Sequence, residues 1–130
     1  MTENEIGKCI VDEAFVIHRE LGPGLLETVN ECVLAHELRR QGLQVERQVP
    51  ITIEYHGLRL DKAFRADLVI EDKVIVELKC VERLTSAHKK QHLTYLHLTG
   101  MRLGYLLNFS EALMKDGITR TVNHLPEKVK

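Results

Sequence analysis

The sequence predicts an α/β (α+β) fold, a mixed β-sheet flanked by helices, and three observations carry that expectation. Apolar residues recur at helical spacing from Ile6 to Leu38, and from Leu43 onward the period drops to two. Late in the chain a third helical stretch separates two apolar runs of strand character. At 130 residues the chain fits one domain, 1–130, because two would each be too small to bury a useful core.

The first helix is expected from Glu5 to Leu21, with Ile6, Cys9, Ile10, Ala14, Ile17 and Leu21 on its apolar side. Leu21-Gly22-Pro23-Gly24 breaks it. A second helix follows from about Leu25 to Gln41, pointing Leu25, Leu26, Val29, Val33 and Leu38 inward, with Gly42 as its stop. Val49, Ile51 and Ile53 then alternate with polar residues, His56-Gly57 offers a turn, and Leu58 and Leu60 alternate again. Ala63 to Ile70 reads as a strand, Glu71-Asp72-Lys73 as a tight turn, and Val74 to Val81 as the returning strand. A helix from Thr85 to Leu98 brings Leu93, Leu96 and either His92 or His97 near the core. Leu103 to Phe109 is a further strand and Ile118 to Leu125 a last one at the edge. Short turns make the early strands antiparallel, whereas the helix after Val81 is long enough to return the next strand in parallel.

Composition narrows the function classes. The 44% apolar and 28% charged content is that of an ordinary globular chain, and aromatics are scarce at 5% with no tryptophan, which disfavours a base-stacking platform. A net charge of -1 leaves no bulk basic surface, so contact with nucleic acid has to come from a local cluster. Cys9, Cys32 and Cys80 are odd in number, form no CxxC pair and lie among apolar neighbours, so buried reduced thiols are expected. The polar, acidic N-terminus is unlike a signal peptide and no apolar run reaches membrane-spanning length, so a cytoplasmic protein is expected.

The run Val74-Ile75-Val76-Glu77-Leu78-Lys79-Cys80-Val81 is the most informative stretch. Alternation puts Glu77 and Lys79 on one face, ~7 Å apart at their Cα atoms, between residues that belong in a core. If the turn at residues 71–73 closes a hairpin, Asp67 comes nearly opposite Glu77. Two carboxylates that close repel, and the remedies are a proton, a basic partner or a cation. Mg²⁺ or Mn²⁺ suits such a pair, since both take oxygen ligands and keep several waters. Lys79 would then orient a water or neutralise charge on a phosphate. The plainer alternative is a solvated edge-strand Glu77–Lys79 pair, with Asp67 bridged to Arg65.

Asp67, nine intervening residues and Glu77-Leu78-Lys79 resemble the D-x(n)-E-x-K core of the PD-(D/E)xK nuclease superfamily. More narrowly, the chain resembles the small bacterial GxxExxY family within it. The residues carrying that likeness are Leu21 through Glu27, Gln48 with Pro50, Tyr55-His56-Gly57, Arg65-Ala66-Asp67-Leu68-Val69, Val76 through Lys79, His88 with Gln91 and Tyr95, and Gly104 through Phe109. The resemblance implies a restriction-endonuclease-like fold. It implies that Asp67 and Glu77 ligate a divalent metal with help from the Leu78 carbonyl, and that Lys79 is the catalytic lysine. Glu27 matches a helix glutamate facing the site and is expected to join the metal-holding and catalytic residues, and Gln91 matches a catalytic glutamine approaching from the following helix. The family's tyrosine position after Glu27 is Asn30 here, a departure from the pattern.

His88 and His92 have the i, i+4 spacing of a zinc pair, but no third ligand suggests itself. His88, Lys89 and Lys90 form a local basic cluster, either a solvated helix face or a phosphate contact, and Tyr95 joins them as a candidate substrate residue. The expected activity is a Mg²⁺- or Mn²⁺-dependent nuclease acting on nucleic acid, DNA ahead of RNA, with a Mg²⁺-activated water. The rival is an inactive nuclease-fold protein that binds or assembles. One small domain grips duplex DNA poorly, which leaves room for a homodimer or a protein partner.

Overall fold

A computed structural model describes residues 1–126. The first helix, α1 (Glu3–Leu21), starts two residues earlier than its apolar periodicity indicates because Thr2 and Glu5 form a capping box. Glu5 N–H donates to Thr2 Oγ1 at 3.2 Å, and Thr2 N–H donates to Glu5 Oε1 at 2.9 Å. Ile6, Ile10, Ala14 and Ile17 are buried, while Leu21 at the C-terminal end is exposed.

In α2 (Glu27–Arg40) the inward face is rotated from the expected one. Leu26 and Val29 are exposed and Val33 is half-buried, whereas Asn30, Glu31, Leu34, Ala35 and Leu38 are buried. Asn30 and Glu31 break the apolar pattern, and Glu31 tolerates burial because it is paired.

The strands are β1 (Val45–Tyr55), β2 (Leu58–Ile70), β3 (Val74–Lys79), β4 (Leu103–Asn108) and β5 (Ile118–Val122), with α3 (Ser86–Thr99) between β3 and β4. Their order in the single sheet is β1-β2-β3-β4-β5. β3 and β4 are parallel, joined through α3, and the other neighbours are antiparallel. Residues 58–60 and 63–70 are one strand rather than two. The ladder slips between Ile51/Phe64 and Ile53/Leu60, and Lys62 (φ 58°) lies in the resulting bulge. β3 stops at Lys79, two residues short of expectation, and β5 stops at Val122.

The sheet separates two cores. Leu68, Ile70, Val76, Leu78, Leu103 and Leu107 pack toward α1 and α2. Val69 and Ile75 meet Leu96 of α3 on the other side. Alternation along β3 therefore sends Ile75 to the α3 face and Val76 and Leu78 to the α1/α2 face, as its sequence requires.

Gly104 and Gly117 permit close approach to the backbone of a neighbouring segment. A Cβ on Gly104 would lie 2.6 Å from His92 Cε1 and 3.1 Å from the Ile75 carbonyl oxygen. A Cβ on Gly117, which ends the 3₁₀ turn Met114–Gly117, would collide with the Asn108 carbonyl. Of the cysteines, Cys9 and Cys80 are half-buried and Cys32 is exposed, so the expectation of three buried thiols is corrected. No helix among the described residues is long and apolar enough to cross a membrane.

Candidate active site

β3 is the central strand, so Glu77 is buried, with 7% of its surface accessible, and the solvated edge-pair alternative does not hold. The β2–β3 ladder pairs Leu68 with Val76, and one step further along the same register sets Asp67 across from Glu77. Asp67 Oδ2 accepts the Leu78 N–H at 2.9 Å, and Asp67 Oδ1 accepts from Gln48 Nε2 at 3.3 Å. Among the described residues Arg65 makes no ion pair with Asp67. N–H and C=O of one strand residue leave by the same side, so the Leu78 carbonyl also faces β2.

Glu27 approaches from the first turn of α2, and its Oε1 accepts the Cys80 N–H at 3.2 Å, just beyond the end of β3. α3 supplies the opposite wall. Thr85 caps it, with His88 N–H donating to Thr85 Oγ1 at 3.3 Å and Thr85 N–H donating to His88 Nδ1 at 3.1 Å. Because Nδ1 accepts, the neutral imidazole keeps its proton on Nε2, available to an outside acceptor. Tyr95 stacks on Phe64 with ring centroids 3.7 Å apart and planes 5° from parallel, which ties α3 to β2.

Together these elements enclose a cavity of about 270 Å³ lined by Glu27, Arg65, Asp67, Glu77, Lys79, His88, Gln91, His92, Tyr95 and Leu106. The sequence-predicted residues Glu27, Asp67, Glu77, Lys79, His88, Gln91 and Tyr95 thus line one cavity, from the sheet and α2 on one side and α3 on the other. Lys89 and Lys90 are exposed on α3 and lie outside it. Sequence reasoning passed over Arg65 and His92 as cavity residues, and Glu31, Arg47 and Gln48 as the polar group behind Asp67. Arg65 sits two positions before Asp67, hence on the same strand face, and that signal was available.

Electrostatics mark the cavity as unusual. Burial pushes the Glu77 carboxyl up to about 9, the Asp67 charge and a hydrogen bond with Asp67 push the same way, and Lys79 opposes them. Among the described residues, Glu77 Oε1 is buried without a hydrogen-bond partner. His92 is held down to about 4, first by burial and then by the Lys79 charge, with the Ile75 carbonyl pulling the other way. Its Nδ1 lies 3.2 Å from Thr121 Oγ1. Burial also raises the Tyr95 phenol, with Glu77 and Asp67 adding to the effect.

Among the described residues no group of three or more His, Cys, Asp and Glu side chains is gathered as a ready metal-binding cluster. Two facing carboxylates, one with an unsatisfied oxygen, plus a backbone carbonyl, nevertheless match the sparse oxygen donor set of Mg²⁺ or Mn²⁺. A divalent ion there would satisfy the Glu77 oxygen and offset both the burial and the Asp67 charge that favour its protonated form. The residues present fit such an ion.

No curated protein matches the chain. The family model described as the PD-(D/E)XK nuclease superfamily matches residues 4–121. That span takes in every strand but the last residue of β5, and the mixed five-stranded sheet with its three helices is consistent with the restriction-endonuclease-like fold. With the match running through α1, the carboxylate pair and α3 alike, the chain belongs to the PD-(D/E)XK nuclease superfamily.

Proposed function

We propose that this single domain is a metal-dependent nuclease of the GxxExxY type, hydrolysing phosphodiester bonds of nucleic acid, DNA ahead of RNA. The observation that carries the reading is Glu77: a buried carboxyl beside a second carboxylate, with an oxygen left unsatisfied and a lysine two residues on. Asp67, Glu77 and the Leu78 carbonyl would hold Mg²⁺ or Mn²⁺, with Glu27 close by. Bound there, the ion would supply Lewis acidity and charge neutralisation. Lys79 would neutralise charge on a scissile phosphate, and Gln91 would orient the attacking water by hydrogen bonding. His88 Nε2–H, Arg65 and Tyr95 would grip phosphate oxygens around the cavity, with Lys89 and Lys90 offering further contacts along α3.

Calorimetric titration with Mn²⁺ should show one site on the native chain and none on the Asp67→Ala, Glu77→Ala double variant. Equal binding by both would defeat the assignment. Lys79→Ala should retain the ion yet lose cleavage of a mixed nucleic-acid panel by roughly 10²–10³-fold. The second reading is a catalytically inactive binding or assembly protein, as a homodimer or with another protein. It is favoured by the lack of a ready three-ligand cluster among the described residues and by the net charge of -1. Absence of Mn²⁺ binding at millimolar concentration together with capture of a protein partner would establish it.

A further inference from the structure

Glu31 is 4% exposed, on the inward face of α2 four residues after Glu27. Its Oε2 takes both Arg47 donors, Nε at 3.1 Å and Nη2 at 2.9 Å, which leaves Oε1 free for Gln48 Nε2 at 2.6 Å. The same Nε2 reaches Asp67 Oδ1 at 3.3 Å. An amide nitrogen has two hydrogens and faces two carboxylate oxygens here. The reverse orientation would set the amide oxygen against both, so chemistry fixes which atom is nitrogen.

The backbone bears the mark of this arrangement. Gln48 has φ 53°, left-handed for a residue with a Cβ and inside a strand. Such a conformation persists only where surrounding contacts over-determine it. With the Leu78 N–H on Oδ2, both Asp67 oxygens are held by donors.

We propose that Gln48 is a positioning residue for Asp67, an amide bridge that anchors the site carboxylate to the Glu31–Arg47 ion pair, whose glutamate end is buried and whose arginine end faces solvent. The bridge links α2, β1 and β2 at one atom and leaves Glu77 as the carboxyl with a free oxygen. Its purpose rests on the divalent-ion reading of the cavity, whereas the bridge itself does not.

Gln48→Gly tests it, because glycine adopts φ 53° without strain and removes the amide. Gln48→Asn is the second variant: asparagine also tolerates this backbone but is one methylene too short to span both carboxylates. A residue serving only the fold would show its loss as a lowered melting temperature, with Mn²⁺ affinity unchanged. Both variants should instead keep the melting temperature within a few degrees and lower Mn²⁺ affinity about tenfold. In the metal-free protein, Leu78 amide exchange should accelerate about tenfold while that of Val76 is unchanged. Unchanged Leu78 exchange in both variants would overturn the bridge, as would native Mn²⁺ affinity in variants of a chain whose Asp67→Ala form has lost it. If the native protein binds no Mn²⁺ yet Leu78 exchange still accelerates, the bridge stands and the nuclease reading fails.

Discussion

Burial acts in opposite directions on two titratable side chains of the cavity wall, lifting Glu77 to about 9 and lowering His92 to about 4. Both results favour the uncharged form near neutrality, which is how a confined site with few partners avoids unsolvated charge. The His92 effect has a measurable sign. Unfolded, it binds a proton below about 6.5; folded, it resists one until about 4. Its contribution is therefore complete above pH 6.5 and is lost as the pH falls toward 4, on the order of 3 kcal/mol in all. Urea unfolding at pH 7 and 4.5 should show the native chain losing about 2 kcal/mol more than His92→Gln. Equal losses would remove His92 as the cause. Asp67, Glu77 and Lys79 were legible from alternation alone, since an ionic residue between core residues on a strand has to face something. Gln48 was not legible in this role, because a period-two pattern presumes extended backbone and that residue departs from it.

β3 positions the site because it is central, flanked by β2 and β4, and short. Its C-terminal residue Lys79 pairs with Asn108 of β4. Asn108 Oδ1 accepts the Val81 and Ser110 N–H groups, each at 3.2 Å, and its Nδ2 donates to the Val81 carbonyl at 2.8 Å, bracketing the chain as it leaves the strand. The 3₁₀ turn presses Gly117 onto the Asn108 backbone, so a methyl group there meets an atom that cannot swing aside. Gly117→Ala should cost about 1–3 kcal/mol in denaturant unfolding; a neutral result would show that the turn yields instead. The antiparallel pairing of the early strands and the parallel crossover followed from turn lengths and the intervening helix. The inward face of α2 did not, because Asn30 and Glu31 are buried and no hydrophobicity pattern marks a polar residue whose partners come from elsewhere in the chain. Bulge geometry at Lys62 likewise hid the continuity of β2.

Taken whole, the protein has 18 basic against 19 acidic residues, so long-range attraction to a polyanion is weak and any grip is local. The cavity wall offers Arg65, Lys79 and His88 for phosphate oxygens. Affinity for a short oligonucleotide, measured with Ca²⁺ to support binding, should fall with salt at a log–log slope between about −1 and −3. A slope steeper than about −5 would point to basic contacts well beyond the cavity. β1 gives the molecule an open margin along the β1–β2 ribbon, and Pro50 sits within it. Lacking an N–H, Pro50 interrupts the row of donors that an incoming chain would use to extend the sheet. The ribbon leading toward the cavity is thereby a poor template for stacking copies into fibrils, and it can stay uncovered beside the site.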